Sequence, residues 1–379
     1  MTEWKKEHYN EMSCNSTEQN ERGNKMALED NFRKVTPYVP GEQPKIPNLI
    51  KLNTNENPYP PAPGVRDALL KLAEDPSVLR KYPAPDCEIL EEAIADYYGI
   101  SRDRLFVGVG SDDVLSMAFL TFFNSKKPVL FPDITYSFYD VWAEVYGIPY
   151  KQIPLDENFE IRAEDYRMEN GGIVIANPNA PTGVAKPKAW MEDFLKEHTD
   201  TVVIVDEAYV DFGAESVIDL IDKYENLLVV QTFSKSRSMA GMRIGMAFGS
   251  KLLIKYLKDV KFSVNSYTMN TTSLLLGVEA IRDDAYFREK VQAVIATRER
   301  VKLQLKSLGF VFRDSKTNFI FASHPAMDAS EIMKKLRERG IIVRHFSKPR
   351  IDQYLRISIG TDAEMDELIK ALAEILHQA

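Results

Sequence analysis

From Leu49 onward, stretches with helical periodicity alternate with short runs that are apolar throughout. The run within "DRLFVGVG" (103–110) predicts a strand, and "SDDVLSMAFLTFF" after it predicts a helix. "KPVLFP" (127–132), "GGIVIANPN" (171–179), "TVVIVDEAY" (201–209), "NLLVVQTFS" (226–234) and "RIGMAFG" (243–249) predict further strands. These runs are too short for helices, mostly rich in Val and Ile, and apolar on both faces. Such strands belong inside a mostly parallel sheet with helices on both sides. A long helical region over about 251–307 follows. The tail then changes character: strand "FIFA", helix "ASEIMKKLRERG", strand "IIVRHF", strand "YLRISIG" and helix "AEMDELIKALAEILHQ". The expected architecture is α/β, a large domain with a mostly parallel sheet sandwiched by helices plus a smaller α+β C-terminal domain. The boundary falls near 280–290.

Open α/β sheets bind ligands at the carboxyl ends of their strands. Gly110, Ser111 and Asp112 follow the first strand, opening a helix. Asn177, Asn179, Thr182 and Gly183 follow "GIVIA"; Asp206 and Tyr209 follow "TVVIV"; Thr232, Ser234 and Lys235 follow "NLLVVQ". Polar groups therefore gather on one rim. In "QTFSKSRSMAGMRIG" (231–245) Lys235 sits among hydroxyls, with Arg243 one loop further on. A lysine fenced by apolar sheet loses its proton more easily and is a candidate for Schiff-base chemistry. Thr232, Ser234 and Arg243 offer a phosphate clamp, and the helix opening at Gly110 and Ser111 offers a second anion contact. An aldehyde cofactor carrying a phosphate, pyridoxal 5'-phosphate, suits both features. Its ring needs an acid at the pyridine nitrogen, for which Asp206 is placed, and Tyr209 can bond the phenolic oxygen. Singly, each residue has a plainer reading: a solvated loop lysine, a helix-capping aspartate, a packed tyrosine.

Composition narrows the classes. The 379 residues suit one large domain plus a smaller one, and 44% hydrophobic content suits a buried core. A net charge of −8 argues against nucleic acid or an anionic membrane as a partner. Two cysteines, Cys14 and Cys87, exclude a disulfide framework and point to a reducing, cytoplasmic setting. The five histidines form no metal-spaced cluster, and no apolar run approaches the roughly 18 residues of a membrane span. Residues 1–27 read as a polar, flexible extension without a signal-peptide core, with Met26 as an alternative start.

These residues resemble the fold-type I pyridoxal-phosphate aminotransferases, and within them most closely the histidinol-phosphate aminotransferases. "LNTNENPYPP", "RKYPAPDCEIL", "VGSDDVL", "DITYSFY", "NPNAPTG", "VDEAYVDF", "TFSKSRSMAGMRIG", "KTNFIFA" and "YLRISIG" match in order, over residues 35–361. The resemblance implies that Lys235 carries the cofactor and shuttles the proton, that Asp206 pairs with the ring nitrogen, and that Tyr209 contacts the phenolic oxygen. It implies that Gly110, Ser111, Asp112, Thr232, Ser234 and Arg243 hold the phosphate and that Tyr136 stacks on the ring. Tyr82 would reach the phosphate of a neighbouring subunit, so a homodimer is implied. Many members carry "NPNNPTG", whose asparagine bonds the phenolic oxygen; here Ala180 stands there. Either Asn177 or Asn179 makes that bond, or Tyr209 acts with fewer partners. The resemblance further implies an arm over 28–48 associated with the small domain, a cofactor-binding domain over 49–283, and a small domain over 284–379.

In "YLRISIG", Leu355, Ile357 and Ile359 share one strand face and Arg356 and Ser358 the other. Arg344 sits on the preceding strand. They read either as two surface arginines or, as the resemblance implies, as the site for anionic substrates. Tyr38, Asn55 and Glu56 resemble residues of an amino-terminal substrate lid. The implied reaction exchanges the amino group of glutamate with imidazole-acetol phosphate, giving histidinol phosphate, a phosphorylated amino alcohol. An aromatic-amino-acid aminotransferase and a threonine-phosphate decarboxylase use almost the same residues. A cofactor-binding regulator would need an appended DNA-binding domain, for which residues 1–35 are too few.

Overall fold

The computed structural model describes residues 28–45 and 47–377; the extension expected over 1–27, with Cys14, lies outside them. The chain divides into two units. The first ends at Pro37, and its described part holds one helical turn closed by the Asn31 and Phe32 amides on the Leu28 and Glu29 carbonyls. The second begins at Tyr38. Its elements are, in order, β1 (Ile50–Leu52), α1 (Pro63–Glu74), α2 (Glu88–Tyr98), β2 (Leu105–Gly108), α3 (Ser111–Phe122), β3 (Val129–Pro132), α4 (Tyr139–Tyr146), β4 (Tyr150–Ile153), β5 (Gly172–Ala176), α5 (Lys188–Glu197), β6 (Val203–Asp206), β7 (Leu227–Thr232) and β8 (Gly245–Gly249). There follow α6 (Lys251–Val264), α7 (Thr271–Arg282), α8 (Asp284–Ser307), β9 (Val311–Phe312), β10 (Phe319–Ser323), α9 (Ala329–Glu338), β11 (Ile341–His345), β12 (Leu355–Ser358) and α10 (Asp362–His377).

The apolar runs form a seven-stranded sheet in the order β2-β8-β7-β6-β5-β3-β4. β8 runs antiparallel to both β2 and β7; the other pairs are parallel. Strict alternation explains why these runs carry no polar face. Ile173, Ile175, Val203, Val205, Leu227 and Val229 enter one core with Phe194 and Leu276. Val174, Ile204, Leu228 and Val230 enter the opposite core with Phe119 and Tyr139. Each such aliphatic side chain contributes about 1.5–3 kcal/mol on burial, which makes the sheet a stiff base for its rim. β4 escapes the apolar pattern because it is an edge strand with Tyr150 and Lys151 exposed.

The helical region over 251–307 is interrupted twice. Asn270 caps α7 through the Ser273 amide, and Asp283 caps α8 through the Tyr286 amide. The tail forms a five-stranded sheet in the order β1-β11-β12-β10-β9. Here β1 pairs parallel with β11, so residues 50–52 are built into the sheet of the C-terminal part. One face buries Ile320, Val343, Leu355 and Ile357 against Val301, Ile332, Leu336, Leu368 and Leu372 of α8, α9 and α10. Buried Arg298 of α8 ties the two regions, donating through Nη1 to the Phe212 and Thr317 carbonyls, both at 2.7 Å.

Register sets the functional rim. Asp206 lies opposite Ala176, Thr232 opposite Gly245, and Gly245 opposite Gly108. The start of β8 passes so close to the start of α3 that a Cβ on Gly245 would lie 2.2 Å from the Gly110 carbonyl carbon and 2.4 Å from the Ser111 nitrogen. Those are backbone atoms and cannot rotate away. Gly245→Ala is therefore expected to cost about 1–3 kcal/mol, read as a lower melting temperature, and to displace the α3 amino end. An unchanged melting temperature would contradict the close approach.

Candidate active site

Lys235 emerges from the end of β7 on a loop held at several points. The Ser234 amide donates to Thr232 Oγ1 at 3.2 Å, and the Phe233 amide to the Ile244 carbonyl at 3.0 Å. Asn57 Nδ2 donates to the Lys235 and Ser236 carbonyls at 3.0 and 3.2 Å. The Ser236 hydroxyl donates to Asp211 at 2.5 Å. With its backbone pinned, Lys235 directs Nζ to the Thr54 carbonyl at 3.2 Å, 5.8 Å from the centre of the Tyr209 ring.

Asp206 closes the floor. It is 6% exposed and accepts from the Tyr139 hydroxyl at 2.8 Å and the Ala208 amide at 3.1 Å. Burial pushes its carboxyl up to about 6, against the lowering effect of those two bonds, with Asp112 adding repulsion. The same burial, beside Asp206, raises the Tyr139 phenol well above its ordinary value, so Tyr139 stays a donor. Glu207, the next residue, takes no part in the cavity. It accepts from Ser216, Gln231 and the Val217 amide, joining β6 and β7 to the turn at 216–218.

The rim carries an anion cradle. The α3 amino end opens at Gly110, whose φ of 84° suits glycine. A Cβ there would sit 2.5 Å from Arg243 Nη2, so glycine is what lets the guanidinium lie over the helix start. Arg243 donates to Ser234 Oγ at 3.4 Å and Asp112 Oδ2 at 3.2 Å. Asp112 Oδ1 accepts from the Tyr136 hydroxyl at 2.7 Å. Hydroxyls, a guanidinium and free helix amides thus converge.

A cavity of about 180 Å³ brings together ten of the residues singled out in the sequence: Glu56, Ser111, Asp112, Tyr136, Asp206, Tyr209, Thr232, Ser234, Lys235 and Arg243. Neither asparagine proposed to compensate for Ala180 lines it. Asn177 is engaged with the backbone of Lys186, donating to its carbonyl and accepting from its amide. Asn179 donates to the Ile134 carbonyl and Thr182 Oγ1 and accepts from Thr135. Both side chains shape the loop, and Ala180 lines the wall. Tyr82 is 83% exposed and rests on Tyr267, with ring centres 4.8 Å apart. Tyr38 stacks on Phe138 at 4.1 Å.

The residues expected to meet the substrate lie on the second sheet and its leading segment. Arg344 and Arg356 are direct cross-strand neighbours. Arg356 Nη2 donates to the Asn53 carbonyl at 3.0 Å, while its buried Nε has no hydrogen-bond partner among the described residues. Burial pulls the Arg356 guanidinium below its ordinary value; Tyr209 opposes this and Arg344 adds to it. Burial acts to raise the Glu56 carboxyl, but hydrogen bonds from Lys51 and Thr54 outweigh it and hold the group low. Asn55, expected on a lid, is 1% exposed and bonds Tyr209 and Ser358 instead. Residues that sequence reasoning passed over are Tyr139, Thr54 and Asn57, and Ser358 was placed on the face of Arg356 without a role. Tyr139 had a signal, since it stands three residues after Tyr136 where α4 begins; the others act through contacts made far along the chain.

The model for "Aminotransferase class I and II" matches residues 47–372. A histidinol-phosphate aminotransferase of Lactococcus lactis subsp. cremoris is 49% identical over 351 residues, covering 93% of this chain and 98% of its own. One from Acinetobacter baylyi is 52% identical over 341 residues, covering 90% and 94%. The crystal structure of histidinol-phosphate aminotransferase from Sinorhizobium meliloti, in complex with pyridoxal-5'-phosphate, superposes with a TM-score of 0.79 at 25% identity, covering 87% of this chain and 91% of that one. On this agreement of sequence along nearly its whole length and of fold, the chain belongs to the class I and II aminotransferases.

Proposed function

We propose that this chain is a pyridoxal-phosphate-dependent aminotransferase that interconverts histidinol phosphate and 2-oxoglutarate with imidazole-acetol phosphate and glutamate, in histidine biosynthesis. The observation that carries the reading is Lys235 Nζ in a cavity with a buried carboxylate on one side and an anion cradle on the other. The cradle fits the cofactor's phosphate, because Gly110 and Gly245 let the Arg243 guanidinium and the start of β8 close on the helix start, beside the Ser234 and Thr232 hydroxyls. Asp206 fits the ring nitrogen: a carboxylate this buried gains from a cationic partner. When bound, pyridoxal phosphate supplies a carbonyl carbon that takes up the amino group and a ring that withdraws electrons.

Lys235 would hold the cofactor and, once released, take the proton from the substrate carbon at Nζ and return it. Arg243, Ser234, Thr232 and the Ser111 and Asp112 amides would hold the phosphate, and Tyr136 would cover the ring. Two arginines facing each other across a ladder repel, and an anion between them removes that cost. Arg344 and Arg356 thus suit glutamate's carboxylate and a phosphate ester in turn. The proposed division assigns 49–283 to the cofactor and 284–379 to the substrate, with β1 contributed to the second sheet.

We also propose a cytoplasmic homodimer. Tyr82, exposed outside its own cavity, packs on exposed Tyr267, and Val78 and Leu79 just before it in the chain are exposed too, a surface suited to a second copy. Cys87 is a free, buried thiol, and no helix among the described residues is long and apolar enough to cross a membrane. A steady-state comparison of histidinol phosphate, phenylalanine and threonine phosphate tests the substrate; preference for either of the latter two overturns it.

Borohydride treatment is expected to fix the cofactor to Lys235, and Lys235→Ala to lose the covalent link; peptide mapping that finds the adduct on another lysine contradicts the role.

Asp206 makes a pH-dependent prediction for the cofactor-free protein. Its folded pKa is raised, so its stabilising contribution is present at low pH and lost as pH rises through about 6. Asp206→Asn is expected to melt higher than the parent near neutral pH, by on the order of 2–3 kcal/mol, and to match it near pH ~4. A gain that is the same at both pH values contradicts burial of the charge as its cause.

Arg344→Ala is expected to slow the phosphate-ester half-reaction more than the glutamate half-reaction, and Arg356→Ala to slow both, with losses of about 2–5 kcal/mol for a desolvated partner. Single-turnover measurements of each half-reaction read this, and equal losses for Arg344→Ala contradict a phosphate-specific role.

A further inference from the structure

We propose that Asn55 is a positioning residue that aims the Tyr209 hydroxyl proton into the cavity, the task that an asparagine at position 180 would otherwise share. The proposal rests on the reading of the cavity as a pyridoxal-phosphate site. Asn55 Nδ2 donates to the Tyr209 oxygen at 2.9 Å. An amide nitrogen has no lone pair to offer, so Tyr209 accepts there and keeps its own proton for the cavity it lines.

Ser358 decides which way the Asn55 amide points. The Ser358 hydroxyl donates to Asn55 Oδ1 at 2.9 Å, and the Asn55 backbone amide donates to Ser358 Oγ at 2.9 Å. The flipped amide would leave the buried Ser358 hydroxyl proton without the acceptor it has in Asn55 Oδ1 and pull the Tyr209 proton away from the cavity. Asn318 Nδ2 fixes the Asn55 carbonyl at 3.0 Å. Asn55, Ser358 and Asn318 are 1%, 2% and 0% exposed, so water does not compete for these bonds. The φ of Asn55 is 57°, a region that asparagine and glycine tolerate. On the same wall Ala180 presents a methyl group, and the Asn177 and Asn179 amides are committed elsewhere. Presenting a donor to the phenolic oxygen of the cofactor therefore falls to Tyr209, and its direction to Asn55.

The test is a pH titration of the visible absorption of the purified holoenzyme without substrate. A donor to the phenolic oxygen favours its anionic form, so losing the donor raises the pH of the spectral transition. Tyr209→Phe should raise it. Asn55→Asp, whose carboxylate accepts the Tyr209 proton, should raise it by about one pH unit or more, the scale of one hydrogen bond to a charged group. Asn55→Gly keeps the backbone conformation while removing the amide, and should give a smaller shift in the same direction. If Asn55→Asp does not fold, Asn55→Gly carries the test. In a Tyr209→Phe background, Asn55→Gly should move the transition no further, and Asn55→Asp should move it less than when Tyr209 is present. An unchanged transition in both single Asn55 variants, even with a lowered melting temperature, overturns the proposal. So do shifts that are undiminished without Tyr209. A parent protein with no visible band instead overturns the cofactor reading on which the proposal rests.

Discussion

A carboxylate at the end of a strand buried on both faces is costly unless it is bonded, and much of the site is arranged around that cost at Asp206. The Tyr139 hydroxyl and the Ala208 amide each supply a donor, yet burial still holds the carboxyl well above its ordinary range. The group is a poised acceptor for a cation, fixed to the stiffest part of the molecule. Neighbouring β7 brings Thr232, and β8 beyond it brings its own start, to the same rim, so the cradle and the carboxylate share one frame.

The segment from Thr54 to Asn57 closes that frame from the other sheet. Thr54 offers its carbonyl to Lys235 Nζ, Asn55 its amide to Tyr209, and Asn57 its amide to the Lys235 and Ser236 carbonyls. The segment continues from β1, which pairs with β11 next to the strand of Arg356. A short piece of chain thus touches both the lysine loop and the strand of Arg356. Glu56, within it, is tied down by Lys51 and Thr54.

Much of this was legible in the sequence. Runs with no polar face announce strands buried on both sides, and the residues just after them announce a rim; both follow from local pattern and from where open sheets bind ligands. The members least legible were β1, β4 and β9. β1 and β9 are two or three residues long, and β4 lies at an edge with exposed side chains. The tail alternation was also readable: Leu355 and Ile357 enter the core while Arg356 turns toward the Asn53 carbonyl.

Sequence by itself determined the inventory: which runs must be buried, that a glycine opens the helix at the rim, and that a carboxylate and a lysine follow strands with an arginine one loop further on. These depend on hydrophobic periodicity and residue chemistry, which are local. Tertiary structure alone decided the partners. Asn177 and Asn179, adjacent to the rim in sequence, spend their amides on the loop that carries them. Asn55, more than a hundred residues away from Tyr209 along the chain, supplies the amide at its hydroxyl, and Ser358, 303 residues from Asn55, sets its direction. A side-chain amide bonds whatever the folded chain brings within about 3 Å, and that distance is set by the packing of two sheets, which no local pattern records.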